Sequence, residues 1–243
     1  MQNTHKWLSR FRLKSDTWVY IPTPETLEEG AFLKKLIELK WRPPENYYHL
    51  QCGGHVEAIR RHINGIFFIH ADLKKFFNNI NRSRITRELK PYLGYEKARS
   101  VAMESTVSIP LATGQIFALP FGFVQSTIIS SLCLHKSRLG KAIQTLNKIE
   151  NTEISVYVDD IIISTQCLVA ANFALSLIND TANKSGLPLN LDKLNGPSKS
   201  ITAFNIELST NSLKITDLRF NELLINYKSS TNDKKKRRDL RLC

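Results

Sequence analysis

Two adjacent aspartates, Asp159 and Asp160, stand between the β-branched runs Ile154-Ser155-Val156-Tyr157-Val158 and Ile161-Ile162-Ile163-Ser164-Thr165. Runs this short and this rich in Val and Ile read as strands buried on both faces, which makes their junction a tight hairpin with both carboxylates at its tip. Like charges held side by side among apolar strands drive at least one carboxyl toward protonation unless a cation meets them. A divalent ion with oxygen ligands is the simplest remedy; an ordinary Asp-rich turn is the alternative these residues leave open. A third carboxylate bears on the choice. Asp72 closes the apolar run Ile66-Phe67-Phe68-Ile69-His70-Ala71, ahead of the aromatic pair Phe76-Phe77. At the end of a predicted strand it serves as a ligand, as the cap of the following helix, or as both.

The chain that must position these acids has 243 residues, 42% hydrophobic and 23% charged, enough for one large domain or two small ones with a real core. Thirty-four Lys and Arg against 22 Asp and Glu give a formal charge of +12. Such an excess suits a polyanionic partner through counterion release. Carboxylate clusters within a basic background are expected where metal is held against phosphate, so nucleic acid is the expected partner. Cys52, Cys133, Cys167 and Cys243 show no paired spacing, and the Met1 region lacks an apolar signal core. Reduced thiols and a cytoplasmic location follow as expectations. No apolar run reaches the roughly eighteen residues of a membrane span, so no membrane partner is expected. Cys52 and His55 have a metal-ligand spacing without a second pair, which argues against zinc.

Along the chain, the basic segment 1–14, with Trp7 and Phe11, predicts an amphipathic helix or a nucleic-acid contact. Helical spacing follows over 26–40, with Thr26 as its cap and Pro43-Pro44 beyond it. Gly53-Gly54 marks a turn before a helix over 56–63 that carries Arg60 and Arg61. Helices are predicted over 83–93 and 95–103. The stretch from Leu119-Pro120-Phe121-Gly122 to Gln125-Ser126 is a turn opening an apolar helix over 128–139. A helix over 168–184 ends at Gly186, and short strands are predicted over 187–193, 203–208 and 213–215. The basic run 233–241 is either solvated or laid along phosphates.

Taken in order, Asp72 with Phe76-Phe77, Leu119-Pro120-Phe121-Gly122 with Ser126, Tyr157-Val158-Asp159-Asp160, and Gly186-Leu187 ahead of Lys193 resemble the palm of the reverse transcriptases over about residues 53–208. The resemblance implies an α+β (mixed α/β) right-hand polymerase with fingers and palm, a mixed sheet bearing the acids, covering helices and a reduced or absent thumb. Residues 1–65 would form the N-terminal region and fingers. Residues 66–208 would form the palm, with fingers helices at about 83–115, and residues 209–243 the primer-grip end, a minimal thumb and a basic tail. The implied activity is RNA-directed DNA polymerase, a nucleotidyltransferase adding dNTPs with two magnesium ions, manganese being a substitute. Asp72 and Asp159 would bridge both metals and Asp160 would support them. Phe77 matches the aromatic that excludes a ribose 2′-hydroxyl. Backbone amides near Lys74 and Lys75, with Arg60 as a further candidate, would hold the triphosphate. Gly122 would admit a close approach to template or nascent pair, Gln125 falls near the substrate ribose, and Lys193 would protonate the departing pyrophosphate.

Departures refine the match. Phe121 stands where Gln is usual, Gln125 where a small residue is commoner, and Phe204-Asn205-Ile206 lacks the glycine of the primer grip. Without Asn-Ala-x-x-His or Val-Thr-Gly the retron enzymes fit poorly. The chain looks most like the stand-alone bacterial defence-associated, or abortive-infection, reverse transcriptases. That implies an RNA template or non-coding RNA, a DNA product, and a homo-oligomer or companion protein as partners. A reverse transcriptase of a retron or other mobile element, or a catalytically silent polymerase-derived nucleic-acid-binding protein, are the alternatives.

Overall fold

A computed structural model describes residues 6–14, 17–111 and 114–229. The fold is mixed α/β, built around a four-stranded antiparallel sheet. In chain order its strands are β3 (Phe67–Asp72), β6 (Thr152–Tyr157), β7 (Asp160–Thr165) and β8 (Asn195–Ser198), and in space they run β6-β7-β3-β8. Beside it lie a three-stranded sheet of β9 (Ser200–Ala203), β10 (Ile206–Ser209) and β11 (Ser212–Ile215), and two hairpins. These are β1 (Trp7–Lys14) with β2 (Thr17–Pro22), and β4 (Val107–Leu111) with β5 (Gly114–Ala118). Parallel pairing enters through single bridges, Tyr47 to Val156 and Val19 to Phe121.

The Val- and Ile-rich runs are strands because both faces of the sheet are covered. Ile69, Ala71, Ile161 and Ile163 point into the main core, packed by α5 (Ser126–Lys136), α6 (Arg138–Leu146) and α7 (Leu168–Lys184). Phe68 and Ile162 point the other way, into a second cluster with Ile59, Ile201, Ala203 and Leu208. The outer edge of β6 is met by residues 46–47, with the Val156 amide donating to the Asn46 carbonyl at 2.8 Å. Helix α5 is buried nearly all round, which explains why its sequence carries no charge before its last turn. Helices α3 (Arg82–Leu93) and α4 (Tyr95–Glu104) form an antiparallel pair packed on α5 through α3.

Several expectations are corrected. The segment read as an amphipathic helix is β1 where it is described, because Arg10 and Arg12 lie over Trp18 of the paired strand at 4.5 and 5.0 Å, an across-strand contact no helix would make. Helix α1 (Pro24–Lys40) begins two residues early: Thr23 caps it, accepting from the Thr26 amide at 3.2 Å, and Pro24 supplies a preset first turn. Instead of a strand over 187–193 there is one bridge, Leu73 to Leu189, and a 3₁₀ turn, Leu191–Lys193. Helix α2 (Gly54–Arg60) stands where 56–63 was expected, and helix α8 (Asp217–Ser229) was not anticipated. The basic run 233–241 lies outside the described residues. Among the described residues no helix is long and apolar enough to cross a membrane.

Candidate active site

The hairpin turn consists of Val158 and Asp159. Val158 alone of the two has positive φ, +59°, the sign pattern of a type II′ turn. A β-branched residue is strained there and needs outside support. Support comes from His49, whose Nδ1 accepts the Val158 amide at 2.9 Å while Nε2–H donates to Ser131 Oγ at 2.6 Å. Ser131 in turn donates to the Thr127 carbonyl on α5. Burial holds His49 well below the ordinary histidine range, at about 4, so its ring stays neutral and able to accept. A second buried histidine, His62, ties the strands together, bonded to Ser155 Oγ on β6 and Ser164 Oγ on β7 at 2.8 Å each.

The register of β3 against β7 sets Asp72 directly opposite Asp160, and the Leu73 amide donates to the Asp159 carbonyl at 2.9 Å. Two strand ends and one turn therefore make one acidic corner. Directly opposed like charges destabilise a sheet, and each meets a compensating group. Lys193 Nζ forms an ion pair with Asp72 Oδ1, while His70 Nε2 lies 2.7 Å from Asp160 Oδ1. The Asn190 amide donates to the Asp72 carbonyl at 2.7 Å and fixes the loop that delivers Lys193. Asp159 is raised to about 6, chiefly by burial, then by the charges of Asp160 and Asp72. Lys193 is raised by its hydrogen bond to Asp72 and by the acids around it. Three carboxylates gathered at one corner, one of them raised by burial and then by its neighbours, offer the oxygen-donor chemistry of a divalent-cation site. Among the described residues no group of three His, Cys, Asp or Glu side chains is placed to hold a metal ion. Lys193 and His70 occupy oxygens of Asp72 and Asp160 instead.

The other expected site residues fall in different places. Phe77 is 5% exposed and packs on Phe121 at 4.6 Å between ring centres, with Phe76 behind it at 5.9 Å. Lys74 and Lys75, whose neighbouring amides were expected to hold a triphosphate, are exposed, and the Lys74 amide donates to the Pro188 carbonyl at 2.8 Å. Gly122 has φ +103°, and an added Cβ would lie 2.1 Å from the Tyr20 carbonyl oxygen. Its close neighbour is thus backbone of β2; the expected approach was to template or nascent pair. Gln125, expected near the substrate ribose, is 2% exposed and faces Gly30 and Ser105 inside the protein, because the helix it precedes is buried. Arg60 pairs with Glu57 and lines a groove of about 670 Å³ with His55, Tyr157 and Phe204.

Sequence reasoning missed His70, His49 and Asn190. For His70 the signal was available, since a residue two before Asp72 in a strand shares its face. His49 and Asn190 gave none, their partners being remote in sequence.

The sequence model of a family described as reverse transcriptase (RNA-dependent DNA polymerase) matches residues 6–204. Among solved structures, telomerase from Candida tropicalis in complex with a telomeric RNA fragment is similar at a TM-score of 0.57 and 14% identity, over 90% of this chain and 45% of that one. Telomerase from Candida albicans, also with telomeric RNA, is similar at 0.56 and 12% identity, over 79% of this chain and 37% of that one. A foamy viral protease-reverse transcriptase in complex with double-stranded DNA is similar at 0.53 and 15% identity, over 96% and 34%. At these identities the likeness shows the fold, a palm like that of polymerases. The chain spans less than half the length of each of these proteins.

Proposed function

The chain belongs to the reverse transcriptase (RNA-dependent DNA polymerase) family, and from that premise we propose that it extends a primer with dNTPs on an RNA template at the corner formed by Asp72, Asp159 and Asp160. The observation that carries this reading is the register opposing Asp72 to Asp160, with Asp159 in the adjoining turn. Nucleotidyl transfer asks a protein for positioning and for neutralisation of charge. Magnesium, or manganese in its place, would be held by the three carboxylates and would supply that neutralisation at the reacting phosphate. Asp72 and Asp159 are the principal ligands in this reading and Asp160 the supporting one. Lys193, kept protonated by Asp72, supplies a proton and a positive charge to the leaving pyrophosphate. Phe77, braced by Phe121 and Phe76, limits the room beside the sugar and selects against a 2′-hydroxyl.

The finer reading, a cytoplasmic bacterial defence enzyme working with a non-coding RNA or companion protein and assembling into oligomers, rests on the compact motif set. A silent nucleic-acid-binding protein is favoured by one observation, that Lys193 and His70 already satisfy two of the acids. Purified chain given a primed RNA template, Mg²⁺ and labelled dNTPs decides between them. Incorporation that is lost in Asp159→Asn supports the polymerase. Tight binding of the template with no incorporation under any priming condition supports the silent binder.

A further inference from the structure

Helices α3 and α4 line an open cavity of about 570 Å³ whose walls include no residue of the acidic corner. Its walls carry Arg82, Arg87, Lys90 and Arg99 and no acidic residue. Two of the guanidinium groups are held in place. Arg82 Nε donates to Thr106 Oγ1 at 2.8 Å and its guanidinium lies 3.7 Å from the centre of the Phe117 ring. Arg99 reaches the Tyr95 hydroxyl at 3.3 Å. Arg87 is paired with Glu88, which stands outside the cavity wall. Tyr95, 48% exposed at the rim, presents an aromatic ring beside these cations.

Four cations around one concavity, without a carboxylate in its wall, attract a polyanion. An exposed aromatic ring interleaved with them matches the way single strands are held, phosphates on the cations and a base on the ring. We propose that the α3–α4 cavity is a second nucleic-acid site, which grips the sugar-phosphate backbone of a single strand and stacks one of its bases on Tyr95. It is separate from the acidic corner and does not depend on polymerisation.

Binding of a fluorescent oligouridine to the full chain, without dNTPs or metal, tests it. Each lost cation flattens the slope of log affinity against log salt by about 0.7 for a single strand, so Arg87→Gln, Lys90→Gln and Arg99→Gln together flatten it by about two. Tyr95→Ala weakens binding about tenfold without changing the slope. The doubly substituted Arg87→Lys, Arg99→Lys chain keeps the wild-type slope. An unchanged slope in the glutamine variant overturns the proposal. So does displacement of the strand by micromolar tripolyphosphate combined with no effect of Tyr95→Ala, which marks a small-anion site. Should the glutamine variant fail to fold, photocrosslinking of a 4-thiouridine strand to the wild-type chain decides. Crosslinks within 82–103 support the site, and crosslinks confined to other segments overturn it. Because turnover is not measured, a chain without polymerase activity can still pass or fail this test.

Discussion

Asp72 and Asp160 are an arrangement that a sheet avoids unless something compensates, and Lys193 is half of what compensates here. Its side chain is 52% exposed but that of Asp72 only 9%, so the lysine offsets a buried carboxylate and its charge stands beside the three acids. Lys193→Met is therefore expected to lower single-turnover incorporation by about 10²- to 10⁴-fold, the usual worth of a positioned acid. The same substitution should cost about 1–3 kcal/mol in urea unfolding, because it leaves the Asp72 carboxylate buried and unpaired. A loss of stability equal to the loss of activity would make Lys193 structural instead. Gly122 shows the opposite balance. With φ +103° and the Tyr20 carbonyl where a Cβ would sit, Gly122→Ala forces either the left-handed strain or a shift of β2. A cost of roughly 2–4 kcal/mol in urea unfolding is expected. Stability within about 0.5 kcal/mol of the parent would mean that the Tyr20 segment yields freely.

The hairpin of β6 and β7 was legible from its residues because its information is local: two β-branched runs, a two-residue turn and acids at the tip. The helices over 82–104 and 168–184 were legible for the same reason, through caps and spacing. What holds the hairpin in shape was not. His49 and His62 look like solvent-facing or metal-binding histidines in a list of residues, and only folding brings them onto Val158, Ser155 and Ser164. The basic, aromatic composition of residues 7–14 suits either period, and the strand form brings Arg10 and Arg12 over Trp18 of β2. The two histidines also set a pH response. Burial lowers His62 to about 3 and His49 to about 4, below the 6.5 of the unfolded chain. Folding therefore favours their neutral forms, a stabilisation complete above pH 6.5 and lost as pH falls toward those values. Between about pH 6 and 4, stability should fall with acidification, each group contributing up to about 1.4 kcal/mol per pH unit. His62→Gln keeps a donor and an acceptor without the charge, so it should flatten that slope. An equally steep slope in the variant would assign the acid sensitivity elsewhere.

Across the whole molecule, burial is uneven in a way that predicts which parts open first. Strand β7 is flanked by β6 and β3 and covered on both faces, and α5 is enclosed nearly all round. Amides there are released only when both cores come apart, so their exchange should report global unfolding. Helix α8 is at the other extreme. Of its residues Leu223 is buried, while Leu218, Phe220 and Ile225 are exposed at 73%, 45% and 66%. Its start is secured by local bonds, Phe220 N–H to the Thr216 carbonyl and Lys214 to Asp217. Burying one leucine contributes about 2 kcal/mol, which falls short of the ordering cost of thirteen residues unless neighbouring packing helps. This is why the helix left so faint a trace in the sequence: its apolar residues do not line one buried stripe. Hydrogen exchange followed by mass spectrometry should show 217–229 exchanging several orders of magnitude faster than 126–134 and 160–165 under the same conditions. Adding a primed RNA template is expected to slow 67–73 and 157–165, the segments around the acids, well before it changes α5. If α8 exchanged as slowly as α5 in the free chain, its exposed leucines and phenylalanine would have to be covered in solution, as by a second copy.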